Sequence, residues 1–254
     1  MPLIIIVGVL ILVLVGAYFL YNSPKPKTGN SNAPANTPTN VTKTPATTSS
    51  LGAVPPNMLG SPNSAVTIEE FADFQCGACA SVHPTMKELQ GIYGNRIRFI
   101  FRNFPLAIPA HDKSYDAAVA AEAARMQDPN KFWAMQDQLF TNQQTWTANP
   151  NYRQIWEEYA QKIGLDVERF KNDMAGKDTK ARVDADLQRG RGLNVNSTPT
   201  LLVNGKGIPL ESIKIENLRQ MIDEEIQNAI KVQPATANAS NPPANVANTA
   251  KSNK

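Results

Sequence analysis

The chain has 254 residues, a formal net charge of +3 and only two cysteines. Its 25 basic residues are interspersed with 22 acidic ones, as on an ordinary solvated surface. That pattern excludes the basic stripe a nucleic-acid-binding protein needs.

Residues 3–21, LIIIVGVLILVLVGAYFLY, carry no charge. A helix of that length nearly crosses a hydrocarbon core of about 30 Å. The run outlasts the roughly 7–15-residue apolar stretch of a cleaved signal peptide, and bulky Tyr18, Phe19, Leu20 and Tyr21 stand where small residues would mark cleavage. It reads as a single transmembrane anchor. Lys25 and Lys27 follow the span, and taken alone they would keep the C-terminal side in the cytoplasm. The cysteine chemistry below favours the opposite side. The expected location is therefore the cell membrane, single-pass, with the folded part extracytoplasmic. Residues 22–55 and 234–254 are rich in Pro, Asn, Thr and Ser with few large apolar residues. Such segments cannot offset their ordering entropy by burial, so they read as a disordered linker and a tail. Residues 56–233 remain, enough for one domain with a sizeable core that needs no disulfides for stability.

In chain order, Ala65–Phe71 reads as a strand that places Val66, Ile68 and Glu70 on one face. Ala80–Tyr93 has helical spacing, with Val82, Met86, Leu89 and Ile92 on one side, an expected kink at Pro84, and a stop at Gly94-Asn95. Arg96–Arg102 is a second strand whose arginines alternate with Ile97, Phe99 and Phe101, leaving one face apolar. Strand, helix, strand predicts a βαβ unit with parallel pairing. Helices are expected over 114–126, 131–140, 152–163, 167–174 and 179–189, the fourth capped by Asp166. Thr200–Val203 and Ile208–Leu210 flank Asn204-Gly205, a strong hairpin signal. A last helix runs over 215–231. The tryptophans Trp133, Trp146 and Trp156 read as core.

Both cysteines fall in Phe74-Gln75-Cys76-Gly77-Ala78-Cys79-Ala80. A zinc site needs about four ligands. Cys76, Cys79, His83 and His111 make four on paper, but no second Cys-x-x-Cys or spaced histidine pair supports them. A structural disulfide closing so short a loop would stabilise little. The redox reading has context: the pair follows a strand and opens a helix, where free N–H groups and the macrodipole favour a thiolate. Cys79, one turn on, is placed to resolve a mixed disulfide. His83 reads as a packed histidine and His111 as a helix-start residue.

Glu69-Glu70-Phe71-Ala72-Asp73-Phe74-Gln75-Cys76-Gly77-Ala78-Cys79, followed by Ser197-Thr198-Pro199-Thr200-Leu201-Leu202-Val203-Asn204-Gly205, resembles the DsbA-like branch of the thioredoxin superfamily over about residues 57–232. The resemblance implies an α/β thioredoxin-like fold with an inserted helical domain at about 107–192, here preceded by a single transmembrane helix. It implies that Pro199 is a cis-proline facing the cysteines, and that Thr198 and Pro199 dock substrate. It implies a buried acid at Glu70 that moves the proton of Cys79; the plain alternative is a solvent-facing Glu69 or Glu70. Asp73 matches an often acidic position, with a turn role and a catalytic role both open. No bound cofactor is implied. The expected partners are unfolded or reduced exported proteins and a membrane redox partner that resets the cysteines. Gly77-Ala78 matches neither the Pro-His of the family's strong oxidants nor the Gly-Pro of thioredoxins. Oxidation of exported proteins is the leading expectation, and a reductase or isomerase stays open on the same fold. A tethered binding module or holdase with a passive disulfide is the alternative of another class.

Overall fold

The alternation of apolar residues builds a five-stranded sheet in the order β1-β3-β2-β4-β5. The strands are β1 (Asn57–Gly60), β2 (Thr67–Ala72), β3 (Arg98–Asn103), β4 (Thr200–Val203) and β5 (Lys206–Ile208). Only β2 and β3 run parallel, as the strand–helix–strand order requires; the other pairings are antiparallel. The computed structural model describes residues 51–237. The anchor expected at 3–21, most of the linker and the end of the tail lie outside the described residues. Among the described residues no helix is long and apolar enough to cross a membrane.

Helix α1 (Gly77–Tyr93) joins β2 to β3, runs through Pro84 and ends at Gly94, whose φ of 49° suits a glycine. Six helices separate β3 from β4: α2 (Ser114–Gln127), α3 (Pro129–Thr141), α4 (Gln143–Thr147), α5 (Tyr152–Lys162), α6 (Val167–Ala175) and α7 (Lys177–Gly192). Asp166 caps α6 by accepting from the Arg169 amide, as expected. Asp128 does the same for α3 by accepting from Asn130, so that helix starts earlier than periodicity alone indicated. The hairpin forms at Asn204-Gly205, with φ of 47° and 79° at the two turn positions. Helix α8 (Ile215–Ala237) closes the domain and buries Leu218 and Ile222.

The main core lies on one face of the sheet, where Ile68, Ala72, Phe99 and Phe101 meet Met86 and Leu89 of α1, the alanine-rich α2, and Trp146 and Trp156. The other face is covered too. Phe71 packs there with Phe104 and Val195, backed by Leu187 and Leu202. Gly190 of α7 lets that helix settle onto the sheet: a Cβ there would lie 2.4 Å from the Phe104 ring.

This second layer corrects the expected strand at 96–102. Residues 94–96 form a 3₁₀ turn, the strand begins at Arg98, and its arginine face is not solvated throughout. Arg102 is buried. It donates from Nε to Glu69 Oε1 at 2.6 Å and from a terminal nitrogen to Asp186 Oδ1 at 2.9 Å. Arg189 also binds both Glu69 oxygens. Burial opposes the Glu69 carboxylate, but hydrogen bonds from Arg189 and Arg102 outweigh it and hold its pKa below the usual range. Buried charge persists only when paired in this way. Arg102 further donates to the carbonyls of Leu51 and Ala53, and Arg182 to those of Val54 and Pro55. Residues 51–55, expected at the end of the linker, are therefore bonded to the domain.

Candidate active site

Cys76 is the N-cap of α1, in extended backbone (φ −74°, ψ 120°), and its side chain does not cap the helix. The sulfur is thus free for chemistry while the first-turn amides converge on it. Both cysteines are free thiols. Cys76 is 9% exposed, and Cys79, one turn along and facing the core, is 0% exposed. This difference sets their chemistry apart. Cys76 is pushed down to about 5: a hydrogen bond from the Cys79 thiol acts most strongly, burial opposes it, and Thr198 and the backbone N–H groups of Cys79 and Ala78 add to it. Burial pushes the Cys79 thiol far up, and its hydrogen bond to Cys76 and the charges of Cys76 and Glu70 push the same way.

The structure brings the other sequence-predicted residues to this pair. The Thr198–Pro199 peptide bond is cis. Cys76 Sγ, as a thiol, donates to the Thr198 carbonyl at 3.4 Å. Thr198 Oγ1 is buried without a partner in that arrangement, so its hydroxyl is available to the thiolate. Glu70 is 3% exposed on the same β2 face as Ile68 and Ala72, the face toward Cys79. Burial alone raises it to about 8. Neither glutamate faces solvent: Glu69 points to the opposite layer and its arginines.

Asp73 is a hub that the sequence left open. Its Oδ1 accepts from the Gln75 amide at 2.7 Å and from the Ser114 hydroxyl at 2.5 Å; Oδ2 accepts from the Leu106 amide at 2.9 Å and lies 2.6 Å from His111 Nδ1. His111 sits in a 3₁₀ turn, Pro109–His111, rather than starting a helix. Gln75 adds bonds to Ala110, Asp112 and Lys113. Sequence reasoning missed Gln143 altogether. Its Nε2 donates to the carbonyls of Phe74 at 2.7 Å and Cys76 at 3.0 Å. A lone glutamine 67 residues from the cysteine gives no local signal. The helical insert thus grips the cysteine loop from two sides. His83 packs on the Phe140 ring and bonds Asp137 at 3.0 Å; burial holds its pKa down. With His83 on Asp137 and His111 on Asp73, the four-ligand zinc set does not assemble. Among the described residues no three His, Cys, Asp or Glu side chains form a metal-binding group.

The Thioredoxin family profile matches residues 53–224. A probable disulfide bond formation protein D from Bacillus cereus is 33% identical over 177 residues, covering 66% of this chain and 78% of that protein. The Na(+)/H(+) antiporter NhaA 1 of Mycolicibacterium gilvum is 36% identical over 149 residues, 58% of this chain; the chain spans only 23% of that antiporter's length. Among solved structures, oxidised BdbD from Bacillus subtilis superposes with a TM-score of 0.56 at 23% identity, covering 68% of this chain and 93% of that one. The α-DsbA1 of Wolbachia pipientis does so with a TM-score of 0.59 at 17% identity, covering 72% and 97%. With the fold, the paired cysteines at a helix N-terminus and these relatives in agreement, the chain belongs to the thioredoxin family and shares the fold of the DsbA-like structures.

Proposed function

We propose that the protein passes a Cys76–Cys79 disulfide to reduced exported proteins outside the cytoplasm, tethered to the cell membrane by residues 3–21. The observation that carries the reading is the asymmetry of the pair: Cys76 is pushed down to about 5 while Cys79 is pushed up. A dithiol whose outer sulfur is a stabilised thiolate favours the reduced form, so the disulfide is readily given away.

The steps follow from the positions of the groups. In the oxidised protein a substrate thiolate attacks Cys76 Sγ. The Cys76–Cys79 bond breaks, and its electron pair leaves on Cys79, which takes the proton that Glu70, raised to about 8, still holds near neutral pH. A second substrate thiolate then attacks the substrate sulfur of the mixed disulfide. Cys76 departs as a thiolate, a good leaving group at its depressed pKa. The substrate has gained one disulfide and the protein two electrons, which a membrane redox partner removes. Thr198 and Pro199 hold the substrate strand beside Cys76. No bound cofactor enters the cycle.

The test is the reduction potential of the pair, by equilibration with glutathione in the chain freed of residues 1–50. A value near about −120 mV fits a disulfide donor; a value near about −270 mV fits a reductase and overturns the proposed direction. A pair that never exchanges with glutathione overturns the redox reading and leaves a binding module.

A further inference from the structure

A groove of about 730 Å³ opens on the outer face of the first turn of α1, against the α3–α4 corner. Gly77, Ala80 and Ser81 form one wall; Thr141, Asn142, Gln143, Gln144 and Thr145 form the other, with Phe140 between. No residue of the 194–199 loop lines it. It is therefore separate from the Thr198 side of the sulfur, yet it begins at the residue beside Cys76. The wall is pinned to the motif by Gln143, whose amide is spent on the Phe74 and Cys76 carbonyls.

Three features say what the groove takes. It has no charged lining residue, so it selects nothing by charge. The side chains of Thr141, Gln144 and Thr145 make no hydrogen bond among the described residues, and all three are exposed. These neutral groups both donate and accept, which matches the alternating N–H and C=O of an extended main chain. Finally, Gly77 has no structural reason to be glycine. Its φ is not positive, and a Cβ there would meet nothing within 4 Å. Alanine at this first position of α1 would fit equally well. What its bareness leaves is an open path from the sulfur into the groove.

We infer that this groove is a second substrate subsite, which takes the main chain of the reduced polypeptide on one side of its reacting cysteine while Thr198 holds the other side. The inference rests on the oxidoreductase reading above and deepens it: a chain passing over Cys76 must leave in two directions, and the groove receives one without regard to sequence.

The experiment uses the full chain in detergent, oxidised, with two probes: reduced unfolded ribonuclease A and dithiothreitol. Ser81→Trp fills the groove from an exposed position, and Gln144→Ala removes an uncommitted amide without bulk. The ratio of kcat/KM for the polypeptide over that for dithiothreitol should fall about tenfold for Ser81→Trp and about threefold for Gln144→Ala, the loss of one to a few neutral contacts. The reduction potential should not move. An unchanged ratio in both variants overturns the subsite. So does a parallel fall with both probes, which would mean damage to the thiols. A wild-type protein inert toward both probes would instead overturn the oxidoreductase reading itself.

Discussion

Replacing Glu70 by glutamine should remove a pH-dependent cost that the native fold carries. In the unfolded chain the carboxyl titrates near 4.5; burial against the core raises it to about 8. Between those values the unfolded state releases a proton that the folded state keeps, so stability falls as pH rises. The gap, at about 1.36 kcal/mol per pKa unit, amounts to about 5 kcal/mol once both limits are passed. Below the unfolded value the penalty vanishes. Cys76 works in the opposite sense: its pKa is depressed, so the reduced protein gains stability as pH rises from about 5 toward 9. The two slopes overlap and must be separated. Urea unfolding of residues 51–254 from pH 4 to 9, in a Cys76→Ser/Cys79→Ser background with and without Glu70→Gln, isolates the carboxyl. The Glu70 protein should lose stability relative to the glutamine variant by several kcal/mol across that range, mostly between pH 5 and 8. Parallel stability curves would refute the burial argument and, with it, Glu70 as a proton donor to Cys79.

Other expectations follow from single contacts. Thr198→Val removes the hydroxyl available to the Cys76 thiolate; a hydrogen bond to a charged group contributes about 1.5–3 kcal/mol, so the Cys76 pKa should rise by about one unit or more, read from thiolate absorbance against pH. An unshifted titration would mean that Cys79 and the helix amides suffice. Arg102→Met removes the counter-charge of buried Asp186 and leaves Glu69 to Arg189 alone; it should cost about 3–5 kcal/mol in urea unfolding, and wild-type stability would show that the buried network relaxes into water. Gly190→Ala drives a methyl into Phe104 and should cost about 1–3 kcal/mol, with the loss visible as a lower thermal midpoint. Cys79→Ser should accumulate a mixed disulfide with a cysteine-containing peptide disulfide on non-reducing gels, whereas Cys76→Ser should form none; a trapped adduct on Cys79 would reverse the assigned roles.

The local features were legible in the sequence because they depend on neighbours along the chain. Cys-x-x-Cys after a strand put Cys76 at a helix N-terminus; Gly94, Asp166 and Asn204-Gly205 marked a helix stop, a helix start and a hairpin; strand alternation put Glu70 with Ile68. Each needs only the backbone periods and the φ preferences of a few residues. Periodicity also marked the block of helices between the strands; the resemblance added the cis bond at Pro199, which periodicity does not supply.

What only the tertiary structure decided depends on residues far apart in the chain. Charge alternation around Arg102 reads as a solvated strand face until α7 brings Asp186, 84 residues away, and Arg189 onto it. Asp73 looks like any turn aspartate until the insert delivers Leu106, His111 and Ser114 to its two oxygens. Gln143 has no motif, yet it holds the carbonyl of Cys76 itself. Strand β1 and the strap at 51–55 lie in sequence that is poor in strand signals, and they are ordered by partners on β3, α2 and α7. Local propensity names an element; whether a polar side chain faces water or a partner is settled only when distant elements pack, since a buried charge is stable solely with its counter-charge in place.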